Sequence, residues 1–165
     1  MKNTVIALCA FFATSLLMAG GNVSPYLSSV AEVPAKVCKE NGIYLEKDVQ
    51  LMWQDQYYTE DENTAFMRHR SLGKAGTHRH AVNYCKRLNY AGYADWRLPT
   101  SDELTHVHSK KGQVFRYFRD NDFWTSTSAV GAKYYAVYPV DAYRYADLIG
   151  ESNFIRCVRC NANDK

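Results

Sequence analysis

The chain lacks most features that would assign it quickly to a large functional class. Its 20 Lys and Arg are nearly matched by 17 Asp and Glu over 165 residues. A balance so even gives no reason to expect a nucleic-acid partner and leaves partner choice to local patches. There is no internal repeat and no low-complexity tract. No Gly-rich phosphate loop, Ser-His-Asp arrangement or paired-carboxylate pattern stands out, so no enzyme chemistry, cofactor or metal is expected. Beyond residue 18 no segment is apolar enough to span a membrane.

The apolar run that is present, Val5 to Met18, is too short to cross a bilayer as an ordinary helix. With Lys2 before it and Ala19-Gly20-Gly21 after it, residues 1–21 read as a secretory signal cleaved before Asn22. Cys9 sits too early, and behind Leu8, for a lipoprotein signal. The expected location is therefore the periplasm, the cell surface or the extracellular space, with no stable membrane span after cleavage. Residues 22–37, with Pro25, Pro34 and several serines, read as a flexible tether. The folded domain is expected over 38–160, with a short tail at 161–165.

An exported chain with four cysteines, Cys38, Cys85, Cys157 and Cys160, suggests two disulfides. On an extended strand, Cys157 and Cys160 would lie about 10 Å apart at Cα, beyond disulfide reach. Two other pairings remain open on this ground.

Residues 42–54 read as a β-hairpin turning at Lys47-Asp48. The acidic-then-basic stretch 55–76 reads as a long loop with one helical turn. Thr77 caps a helix over 78–89 that Gly92 ends, with Ala81, Cys85 and Leu88 inward. Thr100 caps a second helix, with Pro99 before it and Glu103 at the capping-box position. Residues 123–128, 134–140, 143–148 and 154–160 carry the aromatic and β-branched bias of strands. The class is α+β, with two helices packed on short antiparallel sheets.

Four stretches recur in a fixed order: Leu51-Met52-Trp53; Tyr84-Cys85 leading to Asp95-Trp96-Arg97-Leu98-Pro99-Thr100; Phe123-Trp124-Thr125-Ser126-Thr127-Ser128; and Arg156-Cys157-Val158-Arg159. From about Gly42 to Arg159 the chain resembles the Lcl C-terminal domain family, a branch of the C-type lectin-like fold named after a bacterial collagen-like adhesin. The resemblance implies paired N- and C-terminal strands and a disulfide from the first helix to the last strand, Cys85–Cys157. It leaves Cys38 and Cys160 flanking the paired strands, where they form the second bridge. The motif residues Trp53, Trp96, Arg97, Pro99, Thr100 and Trp124 then have structural roles. The chain departs from the family at His78, where a Trp is usual, and at Thr125. It lacks the Glu-Pro-Asn and Trp-Asn-Asp triplets of calcium-dependent sugar binders, so calcium-mediated carbohydrate binding does not carry over.

The leading candidate site is the basic stretch Arg68, Arg70, Lys74, His78, Arg79 and His80. Clustered Arg and Lys attract sulfated or carboxylated polymers, and the histidines add charge below about pH 6.5. The adhesin of the family is associated with sulfated glycosaminoglycans, which points the same way. The pairs His78-x-His80 and His106-x-His108 fall on helices, where positions i and i+2 diverge, so neither makes a local metal site. Asp120-Asn121-Asp122 is acidic but lacks the rest of a calcium loop. Tyr134, Tyr135, Tyr138, Tyr143 and Tyr145 suit sugar stacking or strand packing. The expected function is an exported, non-catalytic binding module for an anionic polysaccharide or an envelope protein partner. The alternative is a structural accessory subunit of a bacterial envelope assembly. A formylglycine-type or thiol redox enzyme would instead need free cysteines.

Overall fold

The computed structural model describes residues 42–161. The expected leader, the tether, Cys38 and residues 162–165 lie outside this range. Strands β1 (Ile43–Glu46) and β2 (Leu51–Gln54) form an antiparallel hairpin with Tyr44 opposite Trp53. Its turn spans residues 47–50, and Gln50 closes it with a φ of 54°. Strand β8 (Val158–Cys160) pairs antiparallel with β2, so the N- and C-terminal strands share one sheet of order β1-β2-β8.

The second sheet contains β3 (Ala75–Gly76), β4 (Phe123–Ser128), β5 (Lys133–Tyr138), β6 (Tyr143–Leu148) and β7 (Asn153–Phe154). Its order is β3-β7-β4-β5-β6. All neighbours are antiparallel except β4 and β7, which run parallel. The expected strand over 154–160 is thus two strands in two sheets. Residues 155–157 carry the chain from one sheet to the other.

Among the described residues three helices accompany the sheets, not two: α1 (Glu60–Met67), α2 (His78–Arg87) and α3 (Ser101–His108). The additional helix α1 begins where the sequence suggested a loop. Thr59 Oγ1 accepts from Glu62 N at 3.2 Å, and the Glu62 carboxylate accepts from Thr59 N at 2.9 Å. That reciprocal cap, with Glu60, Asp61 and Glu62 at the positive end of the helix dipole, turns an acidic run into a helix start. Thr100 and Glu103 build the same cap on α3. Glu103 also takes both terminal nitrogens of Arg97, at 2.8 and 2.6 Å, which fixes the approach of the chain to that helix. Helix α2 stops at Leu88, whose extended backbone (ψ 120°) ends it before Gly92 is reached.

The strand period of two splits the interior. Leu51 and Trp53 point into one core with Leu104, Val107, Phe115, Phe123, Phe154 and Val158. Met52 points into the other, with Ala81, Cys85, Trp96, Leu98, Trp124 and Ile155. Trp53 and Trp124 are fully buried, and each apolar side chain of this class contributes about 2–3 kcal/mol. Every tryptophan N–H finds an acceptor: Trp53 on Glu46, Trp96 on the Tyr93 carbonyl and Trp124 on the Gly76 carbonyl. Against the first core, over the rings of Tyr58, Phe115 and Phe123, Arg156 is 1% exposed. It donates to the Gln54 and Tyr117 carbonyls, pairs with Asp55 at 3.2 Å and lies 3.8 Å from the Phe115 ring centroid. Paired through both terminal nitrogens and stacked on its face, the guanidinium is a tolerable buried charge, although its Nε has no partner among the described residues.

The Cys85–Cys157 disulfide is present, with Cα atoms 5.5 Å apart, and ties α2 to the crossing segment. Cys160 is exposed and is the one described cysteine outside a disulfide. Its expected partner, Cys38, lies outside the described residues.

Candidate functional site

The segment that joins α1 to α2 folds back on the first turn of α2. Ser71 Oγ accepts from Thr77 N at 3.1 Å, and His80 Nε2 lies 2.9 Å from the Gly73 carbonyl. Thr77 caps α2 by accepting from His80 N. The inner face of α2 buries His78, Ala81 and Cys85. The outer face exposes Arg79, Val82, Asn83, Lys86 and Arg87. Arg79 and Lys86 stand seven residues apart, two turns, or about 10 Å along one stripe. No acidic residue occurs anywhere in the helix.

Among the described residues, Arg68, Arg70, Arg79, Lys86 and Arg87 enter no ion pair. All five are exposed. Arg68 and Arg70 leave the end of α1 and lead into the folded-back segment. Beside the outer stripe, His80, Asn83, Tyr84, Arg87, Leu88 and Asn89 line a shallow cleft of about 330 Å³. The result is a cationic helix face next to a small recess of mixed polar and apolar lining. It can bind anions without proton transfer or a nucleophile.

Two residues of the basic stretch do not belong to this surface, and the structure corrects their expected role. Lys74 is buried, with its ammonium 2.9 Å from Glu62 Oε1. Its side chain serves the α1 cap, so no polymer reaches it. His78 is also buried, stacked on Tyr134 at 3.5 Å between ring centroids, with Nε2 2.9 Å from the Thr125 carbonyl. Burial pushes its pKa below the ordinary histidine value, against a smaller opposing effect of the Thr125 hydrogen bond. His78 therefore adds no surface charge, and it packs where the resemblance leads one to expect a tryptophan. His69, on the same stretch, contacts Glu151 at 3.0 Å. The helix periodicity that adds Lys86 and Arg87 was available in the sequence, as positions i+7 and i+8 from Arg79, but local clustering alone stops at His80.

The other candidates separate. Tyr134 packs on His78, and Arg144 lies over Tyr135, while Tyr143 and Tyr145 stack on each other at 6.3 Å. Asp122 is half-buried and held by protein: burial, the main cause, raises its carboxyl pKa, opposed by a hydrogen bond with Tyr145. Cys157 is bonded to Cys85, so Cys157-x-x-Cys160 is not a dithiol. His78 and His80 diverge, as do His106 and His108. The described residues bring three possible metal ligands together at one place, where His106 meets Glu46 and Asp48.

Compared with known protein families, residues 42–159 match the family described as the Lcl C-terminal domain. No curated protein matches the chain.

Proposed function

Since this chain belongs to the Lcl C-terminal domain family, a domain that is generally non-catalytic, we propose that it is an exported binding module that holds an anionic glycan on the outer face of α2. One observation carries the reading. Arg79, Lys86 and Arg87 project from a helix with no acidic residue, and no carboxylate of the described residues neutralises them. Cations left open to solvent in this way are available to sulfate and carboxylate groups, and Arg matches such anions with two parallel hydrogen bonds. The Cys85–Cys157 bridge fits an oxidising compartment, the periplasm or beyond. No helix of the described residues is long and apolar enough to cross a membrane.

A heparin column tests the proposal. The wild-type chain is expected to be retained and to elute with salt, since exposed ion contacts are screened. The triple change R79E/K86E/R87E is expected to flow through, while K133E, on a different element, elutes near wild type. Absence of wild-type retention, or retention of the triple variant, overturns the reading.

A protein partner is favoured by a different observation. Strand β6 is an edge of the larger sheet and leaves Tyr143 62% and Leu148 51% exposed. Capture of an envelope protein lost on changing Tyr143→Ser and Leu148→Lys, with heparin retention unchanged, would identify that edge as a separate contact.

A further inference from the structure

A second polar site lies where the β1–β2 turn meets the end of α3. Glu46 closes β1 with its side chain turned inward and no exposed side-chain surface. Its Oε2 accepts the Trp53 indole N–H at 2.7 Å. Its Oε1 is buried and receives no well-aligned hydrogen bond from the described residues, only the long ion-pair contacts that follow. Among the described residues two cation-capable groups approach that oxygen: Lys110 Nζ at 3.2 Å and His106 Nε2 at 3.4 Å. Asp48, in the turn, completes the cluster. Its Oδ2 lies 2.5 Å from Lys110 Nζ and 3.4 Å from His106 Nε2.

The ligand atoms of Glu46, Asp48 and His106 all lie within 4.8 Å of one another. The spacing is informative. A tetrahedral ion with bonds of about 2 Å to nitrogen and oxygen has ligand-to-ligand edges of about 3.3 Å. Both distances measured from His106 Nε2 are 3.4 Å. The three ligands come from two elements far apart in sequence, so the fold, not a local motif, makes them converge. The Lys110 ammonium stands between the two carboxylates where a cation would stand. It carries one positive charge against two negative ones, and its long stem lets it swing out. A divalent ion would neutralise both carboxylates and also take the lone pair of the neutral imidazole, whereas the ammonium balances only one of the two negative charges. His106 also lines an open cleft with Asp102, Asp141 and Arg144, so solvent reaches the site.

The geometry points to a binding site for one divalent ion of the zinc class, held by Glu46, Asp48 and His106 in exchange for the Lys110 ammonium. One nitrogen and two carboxylate oxygens suit zinc or its neighbours better than calcium, which takes six to eight oxygens. Three protein ligands leave a fourth position for water or for an anionic group. The ion would clip the hairpin turn to α3. The site is independent of the α2 face and of the glycan reading.

Titration of the purified, disulfide-intact chain with zinc ion by calorimetry tests it, with cobalt absorption reporting tetrahedral coordination. One zinc per chain is expected. Because Asp48 and His106 are exposed, D48N and H106Q leave the fold intact by circular dichroism, and each is expected to weaken zinc at least thirtyfold. K110M removes the competing cation and is expected to tighten zinc at least tenfold. No stoichiometric binding by the wild type overturns the site. So does binding that D48N or H106Q leaves unchanged, since zinc then sits elsewhere, for example at the exposed Cys160. Unchanged or weaker binding by K110M overturns the exchange.

Discussion

Glu62 Oε1 accepts hydrogen bonds from both the backbone N–H and the ammonium of Lys74, at 2.7 and 2.9 Å. The other oxygen of the same carboxylate accepts from Thr59 N at the start of α1. One side chain thus caps a helix, holds a buried lysine and fixes the strand that follows. Gly73, with a φ of +54°, has to be bare here, because a Cβ would come within 2.2 Å of Glu62 Oε1.

Removing one partner of this pair should cost far more than removing both. Glu62→Gln leaves the Lys74 ammonium buried without a counter-charge and is expected to lose about 3 kcal/mol or more in urea unfolding. The double change E62Q/K74M should lose less than the sum of the two single changes. A single-variant loss under about 0.5 kcal/mol would mean that Lys74 escapes to water and that the pair is not a fixed element of the fold.

The disulfide should dominate stability. It closes a loop of 72 residues, for which the chain-entropy model gives about 4 kcal/mol. C85S/C157S is expected to lower the urea midpoint accordingly, and reductant should lower the wild type to the same value. A peptide map of native protein should recover Cys85 joined to Cys157. Equal midpoints with and without reductant would contradict the role assigned to this bridge.

Stability should fall on mild acidification through buried histidine. His108 packs against Phe115, Phe118 and Phe123, and its Nε2 is buried without a hydrogen bond. Burial first, and the Arg156 charge second, push its pKa down to about 3. In the unfolded chain the value is about 6.5. Below pH 6.5 the unfolded state therefore takes up a proton that the folded state refuses, and stability drops as pH falls towards 3. His78 shifts in the same direction and adds to the slope. H108F removes the larger share. Between pH 6.5 and 5, the wild type is expected to lose about 1–2 kcal/mol more than H108F. Parallel pH profiles for the two proteins would show that His108 is hydrated or protonated in the fold. Carboxylates with lowered values, such as Glu103 and Asp95, act only at lower pH, and the raised Asp122 acts in the opposite direction, so the difference between wild type and H108F isolates His108.

Much of the architecture was legible because local signals and topology agreed. Thr77 and Thr100 cap the helices where the sequence placed them. The hairpin, the α+β class, the paired terminal strands and Cys85–Cys157 follow from the residues or from the family resemblance. Helix α1 reads in the sequence only as one helical turn within a loop, although Thr59 and Glu62 carry the same cap spacing as Thr100 and Glu103. Its apolar face is weak, with only Ala65 and part of Phe66 packed inward, so periodicity gave no support. The split of 154–160 was hidden for another reason. Both halves have strand composition, and the change of sheet shows only in their partners, β3 and β4 for one half and β2 for the other.

The candidate site was half legible. Charge clustering found Arg68, Arg70 and Arg79, but a sequence does not say which cation turns inward. Lys74 and His78 turn inward because Glu62 and Tyr134 wait for them from other elements. The convergence of His106 on Glu46 and Asp48 was illegible for the same reason: its partners sit about sixty positions earlier in the chain and meet it only in three dimensions.

Residues 152–160 supply β7, between β3 and β4, to the larger sheet and β8 to the smaller one, with Phe154 and Val158 in the first interior and Ile155 and Cys157 in the second. Neither hydrophobic interior can close before this late stretch has arrived. A chain cut before Ser152 is therefore expected to leave both interiors without their latch.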